Sequence, residues 1–419
     1  MPVIKSVRGL EILDSRGRPT VKAYVEFHNG ITASASVPSG ASTGRSEAHE
    51  LRDGETRYGG LGCRKAVKNI NETINSILNS KNVDNQEEID NHLLQIDSSP
   101  NKSNLGANAI LAVSLAFARA QAKHLDQPLF QYFSSLDDVL VQFMPRPTIN
   151  LFSGGKHAGG QVAIQDLLIV PMQNTTSEAL ECAYAVYQAA SELCLKKYQM
   201  RALTADEGGL APPFESIEQM FETALLAINN AGYQPETEVK LALDVASSHF
   251  YADEQYVIDG KGLSGSQMID LLTDWISKYA ITSVEDGLAE EDWAHWTDFQ
   301  AAIGSKCQVL GDDLLCTNPD RIERAVREKS ANALLLKVNQ IGTITEALKA
   351  LKITRKAGWS ITISARSGET EDDWLADLAV GWQADYIKIG SITQSERLAK
   401  YNRLLEIEQE IKLKMKNEQ

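Results

Sequence analysis

The sequence predicts an α/β protein: a small N-terminal α+β unit over residues 1–135, then a (β/α)8 TIM-type barrel over residues 140–419. Three observations predict it. Beyond residue 140, short apolar runs alternate with long helical stretches, the mark of successive βα units and a parallel sheet. Each run ends at or beside a charged residue. No Gly-x-Gly-x-x-Gly follows any of these runs, as a doubly wound open sheet would require.

The N-terminal unit is read from its hairpin. Residues 20–28, "TVKAYVEFH", alternate, Asn29-Gly30 makes a turn, and "ITASASV" continues. Asn-Gly between alternating runs is a strong hairpin signal. Helical segments follow around 63–80, 86–96 and 106–124. The barrel strands are read from "VKLALD" (239–244), "ITSVED" (281–286), "CQVLGDD" (307–313), "NALLLK" (332–337), "WSITIS" (359–364) and "DYIKIG" (385–390). Their polar ends are Asp244, Glu285, Asp312, Lys337, Arg366 and Lys388, spaced 22 to 41 residues apart. That is one βα unit per step, and a barrel gathers such residues on one rim, where (β/α)8 enzymes do their chemistry.

Composition narrows the function. The 419-residue chain carries a net charge of −15, which argues against nucleic acid or an anionic membrane as a partner. The five cysteines are scattered, with no Cys-x-x-Cys, so a disulfide framework or structural zinc is not expected and a reducing, cytoplasmic location fits. The start, "MPVIKSVRGLEILDSRG", has no long apolar core and does not read as a signal peptide. "AILAVSLAFARA" (109–120) is too short to cross a bilayer and reads as a packed core helix.

Three carboxylates converging on one rim repel one another unless a cation binds them, and hard divalent ions such as Mg²⁺ take carboxylate oxygens. Two lysines and an arginine beside them imply an anionic substrate. Lys337 can serve as a general base only when neutral, which from a free pKa of ~10.4 costs roughly 4 kcal/mol. A Mg²⁺ ~5 Å away disfavours the ammonium by roughly 6–7 kcal/mol at an effective dielectric of ~20. The chemistry this suits is proton abstraction beside a carboxylate. "LTADEGGLAPP" (203–213) adds Asp206 and Glu207 before a Gly-Gly turn. "SGGKHAGG" (153–160) presents His157, and "PSGASTG" (38–44) is a small-residue loop able to close over a ligand.

In this order the pieces resemble the enolase (phosphopyruvate hydratase) family from end to end. The matching blocks are "EILDSRGRPTV", "PSGASTG", "GANAILAVSLA", "GGKHAGG", "DEGGLAP", "LALDVASS", "SVEDGLAEEDW", "GDDLLCTNP", "LLLKVNQIGT", "RSGETED" and "SERLAKYNRLL". The resemblance implies an α+β cap domain on a modified barrel of the enolase kind and a homodimer or higher homo-oligomer. It implies two Mg²⁺ per site, the second bound with substrate, and reversible dehydration of 2-phospho-D-glycerate to phosphoenolpyruvate in glycolysis and gluconeogenesis. A Lys or His base with one or two Mg²⁺ is the known pattern of that superfamily. By resemblance, Asp244, Glu285 and Asp312 hold the tight Mg²⁺ and Ser42 the second. Lys337 matches the base and Glu207 the acid that assists hydroxide departure. Arg366 and Ser367 match the phosphate clamp, and Lys388 the partner of the substrate carboxylate. His157, Gln165 and Asp166 fall at substrate-side positions.

The chain departs from the family pattern at four places. Ala365 stands where members generally carry His, Asp166 where they carry Glu, Ala205 where they carry Gly, and His249 where Glu is common. Asp166, Ala205 and Ala365 bear on the side where hydroxide leaves. Two further readings therefore stand beside a working hydro-lyase. One is a divergent enzyme enolising a related phosphorylated or phosphonate acid; the other is a catalytically silent binding paralogue.

Overall fold

The computed structural model describes residues 2–41, 44–54, 56–199, 201 and 203–417. The N-terminal sheet is an antiparallel meander of β1 (Ile4–Leu13), β2 (Pro19–Phe27) and β3 (Thr32–Ser36). Alternation decides its buried face: Val21, Ala23, Val25 and Phe27 of β2 point into the core, as the period of a strand requires. Asn29 accepts a hydrogen bond from the Ile31 backbone in the β2–β3 turn, and Gly30 takes the left-handed conformation there (φ 88°). The helix Ala107–His124 covers the sheet. It is buried almost all round, so it is the packed core helix its small residues predict.

The barrel closes from eight strands: β4 (Arg146–Ser153), β5 (Asp166–Pro171), β6 (Val239–Asp244), β10 (Ile281–Glu285), β11 (Gln308–Gly311), β12 (Ala333–Leu336), β13 (Ser360–Ser364) and β14 (Tyr386–Gly390). A small three-stranded excursion after β6 accounts for β7 (Tyr251–Ala252), β8 (Gln255–Ile258) and β9 (Lys261–Leu263). The six strands read from the sequence lie within a residue or two of their expected positions. They run parallel to one another as expected, and the modification of the barrel lies in a strand not among them. β5 runs antiparallel to both β4 and β6. The stretch 154–165 between β4 and β5 forms one short 3-10 turn, Gly155–His157. It holds no crossover helix, so the chain can only return beside itself. Two helices, Thr176–Tyr198 and Ile217–Asn230, then precede β6.

Beneath the rim the barrel is filled. Leu168, Val170 and Ala242 pack together inside it, and Leu310 packs with Ala333 and Leu335. A void of about 30 Å³ remains, bordered by all eight strands, with Glu285 and Lys388 at its edge. The charged residues above therefore stand on a close-packed floor.

The N-terminal unit is stapled to the rim. Ser39 and Gly368 exchange backbone hydrogen bonds of 2.8 and 2.9 Å, and the Ser36 backbone N–H donates to Asp372. The helix Leu129–Leu136 packs on the helix Trp374–Gly381. A side chain at Gly381 would collide with the Phe130 carbonyl, so this approach needs glycine.

Arg397 fixes the segment after β13. It is fully buried and donates to the carbonyls of Arg366 (2.7 Å), Ser367 (2.6 Å) and Ile389 (3.0 Å). An unpartnered buried carbonyl costs about 1–3 kcal/mol. Arg397→Met is expected to lower stability by at least about 3 kcal/mol, measured by urea unfolding against the unsubstituted chain.

Candidate active site

Asp244 ends β6 and Glu285 ends β10, and the two are register partners. Asp312 follows β11 by one residue. β6, β10 and β11 are neighbours in the barrel, so three buried carboxylates share one stretch of rim. Two lysines face them, Lys388 buried and Lys337 half-buried. Lys388 Nζ lies 2.7 Å from both Asp244 Oδ2 and Glu285 Oε2. Lys337 Nζ donates to Asp312 Oδ2.

The electrostatics follow from that excess of acid. Burial, and next the charge of Asp244, push the Glu285 carboxyl well above the ordinary glutamate range. Burial works against Asp244 as well, but the Lys388 ammonium holds it down to about 2. Burial opposes both lysine charges, yet Asp312 keeps Lys337 above the usual lysine value, and Asp244 and Glu285 do so more strongly for Lys388. Both lysines are thus ammoniums here. The sequence reading asks for a neutral Lys337 amine and for a Lys388 free to meet a substrate. In this arrangement the rim acids claim both.

The donor set fits a divalent cation. Lys388 Nζ stands as a cation between two carboxylate oxygens, which shows that the position is built for positive charge. Gln165 donates to Asp244 Oδ2 at 3.0 Å, while its own Oε1 is buried with no partner among the described residues. Carboxylate and amide oxygens are what Mg²⁺ prefers. Asp286, Asp312 and Asp313 form a group of close carboxylates. There the two Asp286 oxygens accept the backbone N–H groups of Asp312 and Asp313, so Asp286 holds the turn that presents Asp312. Ser42, expected at a second ion, lies outside the described residues.

Beside Asp244, the register partner of Asp166, the side chains of His157, Asp166 and Glu207 form a buried cluster. His157 Nδ1 is 2.8 Å from Asp166 Oδ2, and its Nε2 is 3.7 Å from Glu207 Oε1. Burial opposes the imidazolium, but the charges of Asp166 and Glu207 raise His157 to about 9. Burial also lifts the Asp166 carboxyl above the ordinary aspartate value, with His157 pulling the other way. The proton stays on the imidazole, which has two carboxylates against it. Glu207 sits below the usual glutamate value: burial opposes this, and His157, Arg397, Lys388 and Lys337 outweigh it. Glu207 therefore feels both rim lysines, which ties the two sides into one site. Its loop is aimed by glycine: Gly208 is left-handed (φ 85°), and a side chain at Gly209 would strike Ser153.

Arg366 and Ser367 follow β13 as expected, both buried. The Arg366 guanidinium donates to Glu47 (2.9 and 3.2 Å) and to Asn339 Oδ1 (3.0 Å). Ser367 Oγ accepts from Arg16 Nη1 at 3.2 Å. Of the four departures, Asp166 is fully partnered, by Ser153 Oγ and His157. Ala205 is buried, and its N–H donates to the Gly209 carbonyl. Ala365 is buried and prolongs the β13–β14 ladder by donating to the Lys388 carbonyl at 2.8 Å. His249 is half-buried. Burial first, then Lys156, lowers it to about 4, so it is a neutral imidazole.

Several functional neighbours escape the sequence reading. Asn150 donates to Glu207 Oε2 at 3.0 Å. Glu47, Thr317 and Gln340 join Arg366 to Asp312 through a chain of hydrogen bonds. A signal for Asn150 exists: an amide inside the apolar run "TINLFS" needs a buried partner. Glu47 sits in a polar loop and offers no such signal.

Two family models match the chain. That of the enolase N-terminal domain matches residues 4–133, and that of the enolase C-terminal TIM barrel domain matches residues 141–418.

The His157 imidazolium should persist through neutral pH. Its pKa is raised above the unfolded value of about 6.5, so its stabilisation is fully present below that pH and is lost as pH rises through about 9. The expected observation is a His157 Cε1–H NMR resonance that is flat from pH 6 to about 8 and titrates near 9.

Proposed function

Because the chain belongs to the enolase family, whose members are typically Mg²⁺-dependent lyases, we propose that it is a hydro-lyase interconverting 2-phospho-D-glycerate and phosphoenolpyruvate. One observation carries the reading. A single barrel rim brings Lys337, Lys388 and the three acids Asp244, Glu285 and Asp312 together with the His157–Asp166–Glu207 cluster, Asp166 being the register partner of Asp244. A candidate base and a candidate acid thus belong to one buried charged site, as acid–base chemistry on a small anionic acid requires. The proposal includes a cap unit over 1–135, a catalytic barrel over 140–419, a homodimer, a cytoplasmic location and a role in glycolysis. It rests for these on the likeness to the family and, for the location, on five free cysteines, all buried.

In this reading Asp244, Glu285 and Asp312 hold one Mg²⁺, and Ser42 contributes to a second. Such a Mg²⁺ would supply positive charge against the charge that develops on the substrate carboxylate and would compete with Lys337 for Asp312. Lys337 Nζ then takes the proton from the carbon beside the carboxylate. Lys388 is released from the rim acids to pair with that carboxylate. Arg366 and Ser367 bind the phosphate. Glu207 delivers a proton to the departing hydroxide, and the nearest proton in this arrangement stands on His157 Nε2, 3.7 Å from Glu207 Oε1.

A specific observation favours a second reading, a related phosphorylated or phosphonate acid as substrate. Asp166 is not a gap left by a shortened side chain: both its oxygens are already bonded, one to Ser153 and one to His157. The leaving-group side is packed around aspartate.

The primary experiment is a coupled assay for phosphoenolpyruvate from 2-phosphoglycerate with Mg²⁺; activity undiminished in excess chelator would refute the metal reading. Lys337→Ala should abolish exchange of the substrate α-proton with solvent deuterium. Glu207→Gln should keep that exchange and lose elimination by about 10²–10⁴-fold. Exchange surviving in Lys337→Ala would remove Lys337 from the role of base.

The second reading is tested by restoring the family residues. Ala365→His with Asp166→Glu should raise dehydration of 2-phosphoglycerate by up to about 10²-fold while leaving α-proton exchange unchanged. If neither rate moves, the pocket serves another acid.

A further inference from the structure

Between the metal-side acid Asp312 and the anion-side Arg366 runs a chain of buried polar groups that none of the roles above uses. We propose that Gln340, oriented by Thr317, is a positioning residue that locks Asp312 and the Glu47–Arg366 pair into one fixed relation. The inference deepens the hydro-lyase reading and rests on it.

The direction of every bond in the chain is forced. The Lys337 backbone N–H can only donate, and it donates to Thr317 Oγ1 at 2.9 Å. The Thr317 hydroxyl also donates its own hydrogen, to Gln340 Oε1 at 2.7 Å. The carboxylates on the other side of the amide, which only accept, decide which end of it is oxygen. The Gln340 NH₂ is thereby turned toward two carboxylates, Asp312 Oδ1 at 2.8 Å and, more weakly, Glu47 Oε1 at 3.5 Å. Glu47 in turn receives both terminal nitrogens of Arg366. Reversed, the amide would set its oxygen against two carboxylates.

Two further observations separate this from passive packing. Thr317 and Gln340 are both fully buried, where an apolar pair would fill space without polar groups to satisfy. Thr317 also adopts a left-handed backbone (φ 51°), directly after Cys316 (φ 48°). A β-branched residue in that region is strained, by about 1–3 kcal/mol, so a smaller residue would be favoured if only the turn mattered. The hydroxyl is what the strained position supplies. The Gln340 main chain is bound independently: its carbonyl accepts the Ala48 N–H at 2.7 Å. A side-chain substitution therefore leaves the loop carrying Glu47 attached.

The test titrates Mg²⁺ alone, then inorganic phosphate at saturating Mg²⁺, by calorimetry into the full chain and into Thr317→Val, Thr317→Ser and Gln340→Met. Thr317→Val and Gln340→Met are expected to weaken Mg²⁺ binding about 10–100-fold, the usual cost of losing a group that orients a ligand. Phosphate affinity should fall at least about fivefold in the same two variants. Thr317→Ser keeps the hydroxyl and should stay near the parent in both. If Thr317→Val and Gln340→Met bind both ions like the parent, the inference is wrong. Weakening of Mg²⁺ alone also overturns it, because the link to Arg366 is then missing. Equal losses in Thr317→Ser and Thr317→Val would assign the effect to packing. Failure of the parent chain itself to bind Mg²⁺ is a different result: it would overturn the hydro-lyase reading, and this inference with it.

Discussion

Buried like charge is the constraint around which this molecule is organised. Asp244, Glu285 and Asp312 stand on adjacent strand ends, out of water. Several kcal/mol would be lost for each ion if nothing opposed it. Lys388 and Lys337 oppose it, and each is itself buried enough to need the acids in return. Neither set is stable without the other or a substitute cation. An enzyme gains from such an arrangement, because the incoming cation and anion replace partners that are already in place rather than water.

The opposite side of the site obeys the same rule with the signs exchanged. One imidazolium, His157, lies between two carboxylates, Asp166 and Glu207. The two sides act on each other as well: Asp244 helps to hold the proton on His157, His157 helps to hold Asp244 ionised, and Glu207 feels both rim lysines. The scaffold brings the two groups together. The antiparallel β5 begins with Asp166 facing Asp244 in register. The glycine-rich return that precedes β5 delivers His157 to the same rim. A regular βα crossover would have placed a helix there instead.

The N-terminal unit is part of the site. Glu47 comes from its loop and reaches Arg366 of the barrel. Arg16 comes from the β1–β2 turn and reaches Ser367. The reciprocal Ser39–Gly368 backbone pair sets the distance over which these contacts form. Arg397 holds the same segment from below through three carbonyls. The surroundings of Arg366 and Ser367, the proposed anion-binding end, are therefore built from both parts of the chain.

What the sequence determined by itself was local and periodic. Alternation fixed β2, apolar runs fixed six barrel strands, and the charge at each strand end marked the rim, because side-chain period and strand polarity are properties of neighbouring residues. Asp244, Glu285, Asp312, Lys337 and Lys388 were legible for that reason. So was the family, through blocks spread over the whole chain. Only the tertiary structure decided the direction of β5, because "DLLIVP" reads alike in either sense and its pairing depends on what a loop can span. It also decided the company each charge keeps. Glu47 meets Arg366 across 319 positions of sequence, and Thr317 meets Gln340 across 23. Protonation states followed last, since burial and long-range charge set them. His157 in a glycine-rich loop is an ordinary histidine until folding puts a carboxylate on either side of it.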